Sequence, residues 1–215
     1  MSLKSRSTFQ SSVYYSPEDS DGRSNSNHEF IMHQSTGRTM TVDGIADGAG
    51  RSWKIKGRMD GFGGRAILQE NGKVLAVVLS ERSGRCFAYK LLYPTPLCPT
   101  QKSHRIRIRG QLLYEHMTIR KTSCFSNNFV VINNDLNCGN ENNIAYVVRG
   151  SSRFGPLRLK VYQKDTKQCC GAVRQSFENG SVSSSSWQIR ADKNINPKIM
   201  ICLTAIASKS LGKLH

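Results

Sequence analysis

Beyond Glu29 the chain is written in short runs whose apolar residues recur at every second position. Phe30-Ile31-Met32 and Met40-Thr41-Val42 open the series. Trp53-Lys54-Ile55-Lys56 then alternates large apolar with basic residues. That is the pattern of a strand with one wet and one dry face, since successive side chains point to opposite sides of the backbone. Arg65-Ala66-Ile67-Leu68-Gln69 leads into Asn71-Gly72, a dipeptide that takes positive φ readily and marks a hairpin turn. Val74 to Leu79 is continuously apolar, and Arg85 to Lys90 completes the first set of strands. Pro94, Pro96 and Pro99 interrupt the rhythm, because proline removes a ladder donor. Arg105-Ile106-Arg107-Ile108-Arg109 resumes it, with three arginines on one face and two isoleucines on the other.

The second half repeats the first at an offset of about ninety residues. Met117-Thr118-Ile119 and Phe129-Val130-Val131-Ile132 stand where the first two strands stand. Tyr146-Val147-Val148-Arg149-Gly150 matches Trp53 to Gly57, and Leu157 to Tyr162 matches Ala66 to Gln69. Gly171-Ala172-Val173 matches Leu75-Ala76-Val77, and Ser185 to Ile189 matches Arg85 to Tyr89. A period this long exceeds the roughly 20–50 residues of a solenoid unit. It predicts two related half-barrels that close on each other, because closure removes the unpaired strand edges that invite aggregation.

The end of the chain is different. Asn196-Pro197 has the chemistry of a helix start: asparagine caps, and proline at the first helical position needs no donor. From Ile199 to Ala207 no charged residue occurs, and Gly212 offers a stop. A helix apolar on every face must be buried on every face, and this one is too short to span a bilayer. The expectation is therefore a mainly β fold: a closed antiparallel barrel of about twelve strands from two related halves, around a buried hydrophobic C-terminal helix.

This order of elements resembles the LURP-one-related family, which shares the tubby C-terminal-like fold with the phospholipid scramblases. The likeness runs from about Glu29 to Leu211. Trp53-Lys54-Ile55-Lys56-Gly57 is similar to the family's apolar-x-apolar-x-Gly strand. Ala66 to Val78, turning at Glu70-Asn71-Gly72-Lys73, resembles its hairpin. Trp187 to Asp192, followed by Pro197 and the apolar helix, resembles its ending. The resemblance implies a non-enzymatic binding module. Scrambling is not expected, since the only candidate for an anchoring helix is the short core one.

Charge sharpens this picture. The chain carries 31 lysines and arginines against 15 acids, for a formal net charge of +16. Residues 1–28 hold none of the excess, because Lys4, Arg6 and Arg23 offset Glu18, Asp19 and Asp21. Nine of those 28 residues are serine, so the span 1–28 reads as a disordered tail and 29–215 as the barrel domain. A domain this basic attracts anions, either lipid or nucleic acid.

Two stripes give the attraction an address. Lys54, Lys56 and Arg58 share one strand face, and Arg105, Arg107 and Arg109 share another. The guanidinium fork matches phosphate oxygens. These six residues are the candidate ligand-binding set, with anionic phospholipid of phosphoinositide type as the first expectation. Nucleic acid is the alternative, for a transcription-related factor, and a protein-interaction scaffold is the third.

The remaining chemistry is sparse. Seven cysteines and five histidines are scattered without CxxC spacing, so no metal site is expected. No G-x-S-x-G elbow or phosphate-cradling loop ahead of a helix occurs, so no catalytic residue and no cofactor are expected. Residues 1–15 contain no apolar run of signal-peptide length, and no transmembrane segment is found. The expectation is a monomer in the cytoplasm, peripheral at a membrane or nuclear.

Overall fold

The computed structural model describes residues 26–34, 39–45, 50–58, 63–83, 86–96, 105–108, 110–123, 126–134, 143–151, 156–177 and 185–211. Among these, β1 (Ser26–Gln34), β2 (Thr39–Ile45), β3 (Ser52–Arg58), β4 (Arg65–Glu70), β5 (Lys73–Ser83) and β6 (Cys86–Tyr93) form an antiparallel meander. After the short β7 (Arg105–Ile108) comes a second meander. Its strands are β8 (Gln111–Lys121), β9 (Phe129–Asn133), β10 (Ile144–Ser151), β11 (Arg158–Gln163), β12 (Cys169–Phe177) and β13 (Ser185–Asp192). β6 pairs with β8, and β1 with β13. The two six-stranded halves thereby close head to tail into a twelve-stranded antiparallel barrel, with β7 as one extra strand. β1 begins at Ser26, inside the serine-rich span; residues 1–25 of that span lie outside the described residues.

Local chemistry sets the turns. Glu70 pairs with Lys73, and between them Asn71 (φ 49°) and Gly72 (φ 80°) make the two-residue hairpin their types favour. Period two then sorts the side chains. Phe30, Met32, Val42, Trp53, Ile55, Phe129, Val148, Leu159, Val173, Trp187 and Ile189 all point inward and are buried.

They surround α1 (Pro197–Leu211). Asn196 caps it by accepting the Lys198 N–H at 3.0 Å. Every residue from Ile199 to Ala207 is buried, which covers all faces of the helix. Burying Ile199, Ile201, Leu203 and Ile206 contributes about 1.5–3 kcal/mol each. Thr204 is tolerated there because its hydroxyl donates to the Met200 carbonyl at 2.8 Å. Gly171 of β12 permits the close approach of α1: a Cβ there would lie 2.6 Å from Met200 Sδ.

A second, smaller core lies on the outside. Register places Lys56, Ile67, Val77 and Leu92 in one outward row across β3 to β6. Ile106 and Ile108 of β7, with Leu113 of β8, pack on Ile67, Val77 and Leu92. The β7–β8 hairpin is thus a flap over the outer wall. This is why β4 and β5 read as continuous apolar runs: both of their faces are dry. Among the described residues no helix is long and apolar enough to cross a membrane.

Candidate anion-binding face

The outer wall formed by β10 to β13 has an unusual composition. β10, β11 and β12 contain no carboxylate at all, and β13 contains only Asp192, which is buried. The outward positions carry Arg149 on β10, Arg158 and Lys160 on β11, Arg174 on β12 and Arg190 on β13. Register makes neighbours of them. Arg158 stands directly opposite Arg174, and Arg149 directly opposite Lys160. Lys160 and Arg190 flank Ala172 from either side.

Two like-charged pairs facing each other on adjoining strands destabilise a sheet, by roughly 0.2–1 kcal/mol per pair. Neither Arg158 nor Arg174 makes a salt bridge among the described residues. Arg149 is oriented instead by Tyr162, its guanidinium carbon 5.4 Å from the ring centroid.

The small side chain of Ala172 leaves a groove between the long cationic ones. It measures about 300 Å³ and is bordered by Arg158, Lys160, Arg174, Arg190 and Ile45. Ile45 is the large apolar side chain left exposed among the described residues, at 38%. One acid borders the groove: Glu29 of β1, opposite Arg190. The arrangement suits a ligand with several phosphate oxygens and an adjoining apolar portion, because guanidinium forks grip the former and Ile45 the latter.

No family model, curated protein or solved structure matches this chain.

The stripes expected from sequence fall elsewhere. Lys54 and Lys56 are exposed on β3, which β2 and β1 separate from β13. The backbone of Arg58 ends β3, but its side chain lies outside the described residues. Arg105 and Arg107 are exposed on the flap, with Arg105 5.8 Å over the Tyr114 ring, while Arg109 lies outside the described residues. The isoleucines of that stripe face the outer core. The barrel therefore keeps the two stripes on separate strands and assembles a third basic surface from five residues that are dispersed along the chain. The signal in the sequence was the absence of Asp and Glu from 144–177 outside the turn at Asp165. Alternation within single strands does not reveal it.

Lys90 bridges Glu81 at 3.1 Å and Glu115 at 3.3 Å. Burial pulls its pKa down, and the two carboxylates outweigh that and leave it raised. The thiols of Cys170 and Cys202 are free, and burial pushes both up to about 12, where they are poor nucleophiles. Among the described residues, no three potential metal-ligating side chains cluster.

Proposed function

We propose that this barrel is a non-enzymatic module that docks on anionic phospholipid, gripping headgroup phosphates on the β10–β13 face. One observation carries the reading: two opposed like-charged pairs, Arg158–Arg174 and Arg149–Lys160, on strands that carry no acid. Arg158 and Arg174 make no salt bridge among the described residues, so an anion seated between them would screen their repulsion. The cytoplasmic leaflet offers a dense source of anions, with each nearby cation worth about 1 kcal/mol of attraction. Exposed Ile45 beside the groove suits the boundary between headgroups and acyl chains. The closed barrel round a hydrophobic helix also supports kinship with the LURP-one-related branch of the tubby C-terminal-like fold.

Vesicle co-sedimentation tests this reading. Neutral, phosphatidylserine and phosphoinositide vesicles are compared at two salt concentrations. Replacing Arg158, Lys160 and Arg174 together by Gln removes three cations, or about 3 kcal/mol, which predicts a loss near a hundredfold. R105Q/R107Q, which lies on the flap, is expected to bind nearly as the parent does. Equal losses in both variants, or no preference for anionic over neutral vesicles at low salt, would sink the proposal.

A further inference from the structure

A second basic concavity lies at one mouth of the barrel, where β13 turns into α1. It is an open concavity of about 460 Å³ lined by His28 of β1, Arg51 just before β3, Trp53, Lys193 and Lys198, among others. Four groups able to carry positive charge thus converge from three separate stretches of chain, and no carboxylate is among the lining residues. Two acids adjoin lining residues along the chain: Asp192 is buried and accepts the Lys193 N–H, and Glu29, next to His28, stands opposite Arg190 and borders the β10–β13 groove instead.

Each wall of the cavity is held in place. Trp53 is 4% exposed, and its indole N–H donates to Glu70 Oε1 at 2.6 Å. Arg51 is tied to β2 through its carbonyl, which accepts the Gly44 N–H at 2.8 Å. Lys198 lies with its ammonium 5.9 Å over the Tyr93 ring, and the turn carrying Lys193 is pinned where Asn194 O accepts from Tyr146 at 3.1 Å. The helix end contributes little on its own. Pro197 has no N–H, and the amides of Lys198 and Ile199 are both taken by Asn196. Side-chain charge and a preformed shape are what this cavity offers.

We infer that the mouth binds a small polyanion, one bearing two or more phosphate or carboxylate groups. Its volume falls in the range of small-molecule sites, about 300–1,000 Å³. Cations from three separate stretches of chain converge on this concavity, whereas those of the β10–β13 face stand on neighbouring strands along a groove. The inference stands on different residues from the membrane reading and does not depend on it.

Calorimetric titration of the full chain with pyrophosphate and with citrate tests the site. Arg51 and Lys193 are exposed, so R51Q/K193Q leaves the core untouched. Losing two charged contacts predicts at least a tenfold weaker Kd for pyrophosphate. R65Q/R120Q removes the same charge from exposed positions outside the cavity and is expected to bind as the parent does. Thermal melts confirm that both variants are folded. No binding of either probe by the parent, or equal weakening in the two charge-matched variants, would overturn the inference. Either failure leaves the vesicle result standing, because that is read on Arg158, Lys160 and Arg174.

Discussion

A surface that binds anions through opposed cations should be more stable once one of them is removed. Arg174 faces Arg158 across β11–β12. Cβ atoms of such pairs lie about 4.5–5.5 Å apart, so the flexible guanidinium groups rest on the order of 7 Å from each other. In water two unit charges at that distance repel by about 0.6 kcal/mol. Arg174→Gln removes this repulsion, and a gain near 0.5 kcal/mol raises the Tm of a domain this size by about 1–2 °C. Melts followed by circular dichroism at about 20 mM and about 1 M salt separate the cause. The screening length falls to about 3 Å in the concentrated salt, so the gain should vanish there. R158Q should act similarly, and R158Q/R174Q should gain less than the two single changes added, because both relieve one pair. Vesicle binding should fall as stability rises. A lower Tm for R174Q at low salt, or a gain indifferent to salt, would refute the reasoning.

Two further outcomes follow from the core. Burial holds the Cys202 thiol neutral in the fold, its pKa raised from 9.0 to about 12; its stabilisation is complete below pH 9 and is lost as pH climbs toward 12, a span worth about 4 kcal/mol. Urea unfolding across that window should show a shallower decline for Cys202→Ala, and an unchanged slope would refute the assignment. Gly171→Ala, whose new Cβ would meet Met200 Sδ at 2.6 Å, should lose about 1–3 kcal/mol. Pairing it with Met200→Ala in a double-mutant cycle should show coupling, and strict additivity would mean that α1 does not rest on this glycine.

Much of the architecture was legible because its causes are local. Asn196 and Pro197 announce the helix start by capping chemistry, and the uncharged stretch from Ile199 to Ala207 demands burial on all sides. Asn71-Gly72 specifies its hairpin through backbone freedom at two residues. The repeat at about ninety residues predicted two halves, and β1–β6 and β8–β13 are those halves. The alternation of Trp53-Lys54-Ile55-Lys56 correctly sent the tryptophan and isoleucine inward.

Register and packing between distant segments decided the rest. The dry outer faces of Ile67 and Val77 arise from a flap that starts some thirty residues further on; the continuous apolar runs of β4 and β5 signal a second dry face but not what covers it. Arg158 and Arg174 become neighbours only through the pairing of β11 with β12, and a slip of one residue would send either to the other face. His28, Arg51, Lys193 and Lys198 meet because barrel closure brings β1 beside β13 and the mouth gathers their ends. The sequence by itself determined which segments are strands, which is the helix and which side chains must be dry, because those follow from backbone freedom and apolar periodicity. Only the tertiary structure decided where the charges gather, because surface cations carry no local signal of the partners that closure sets beside them.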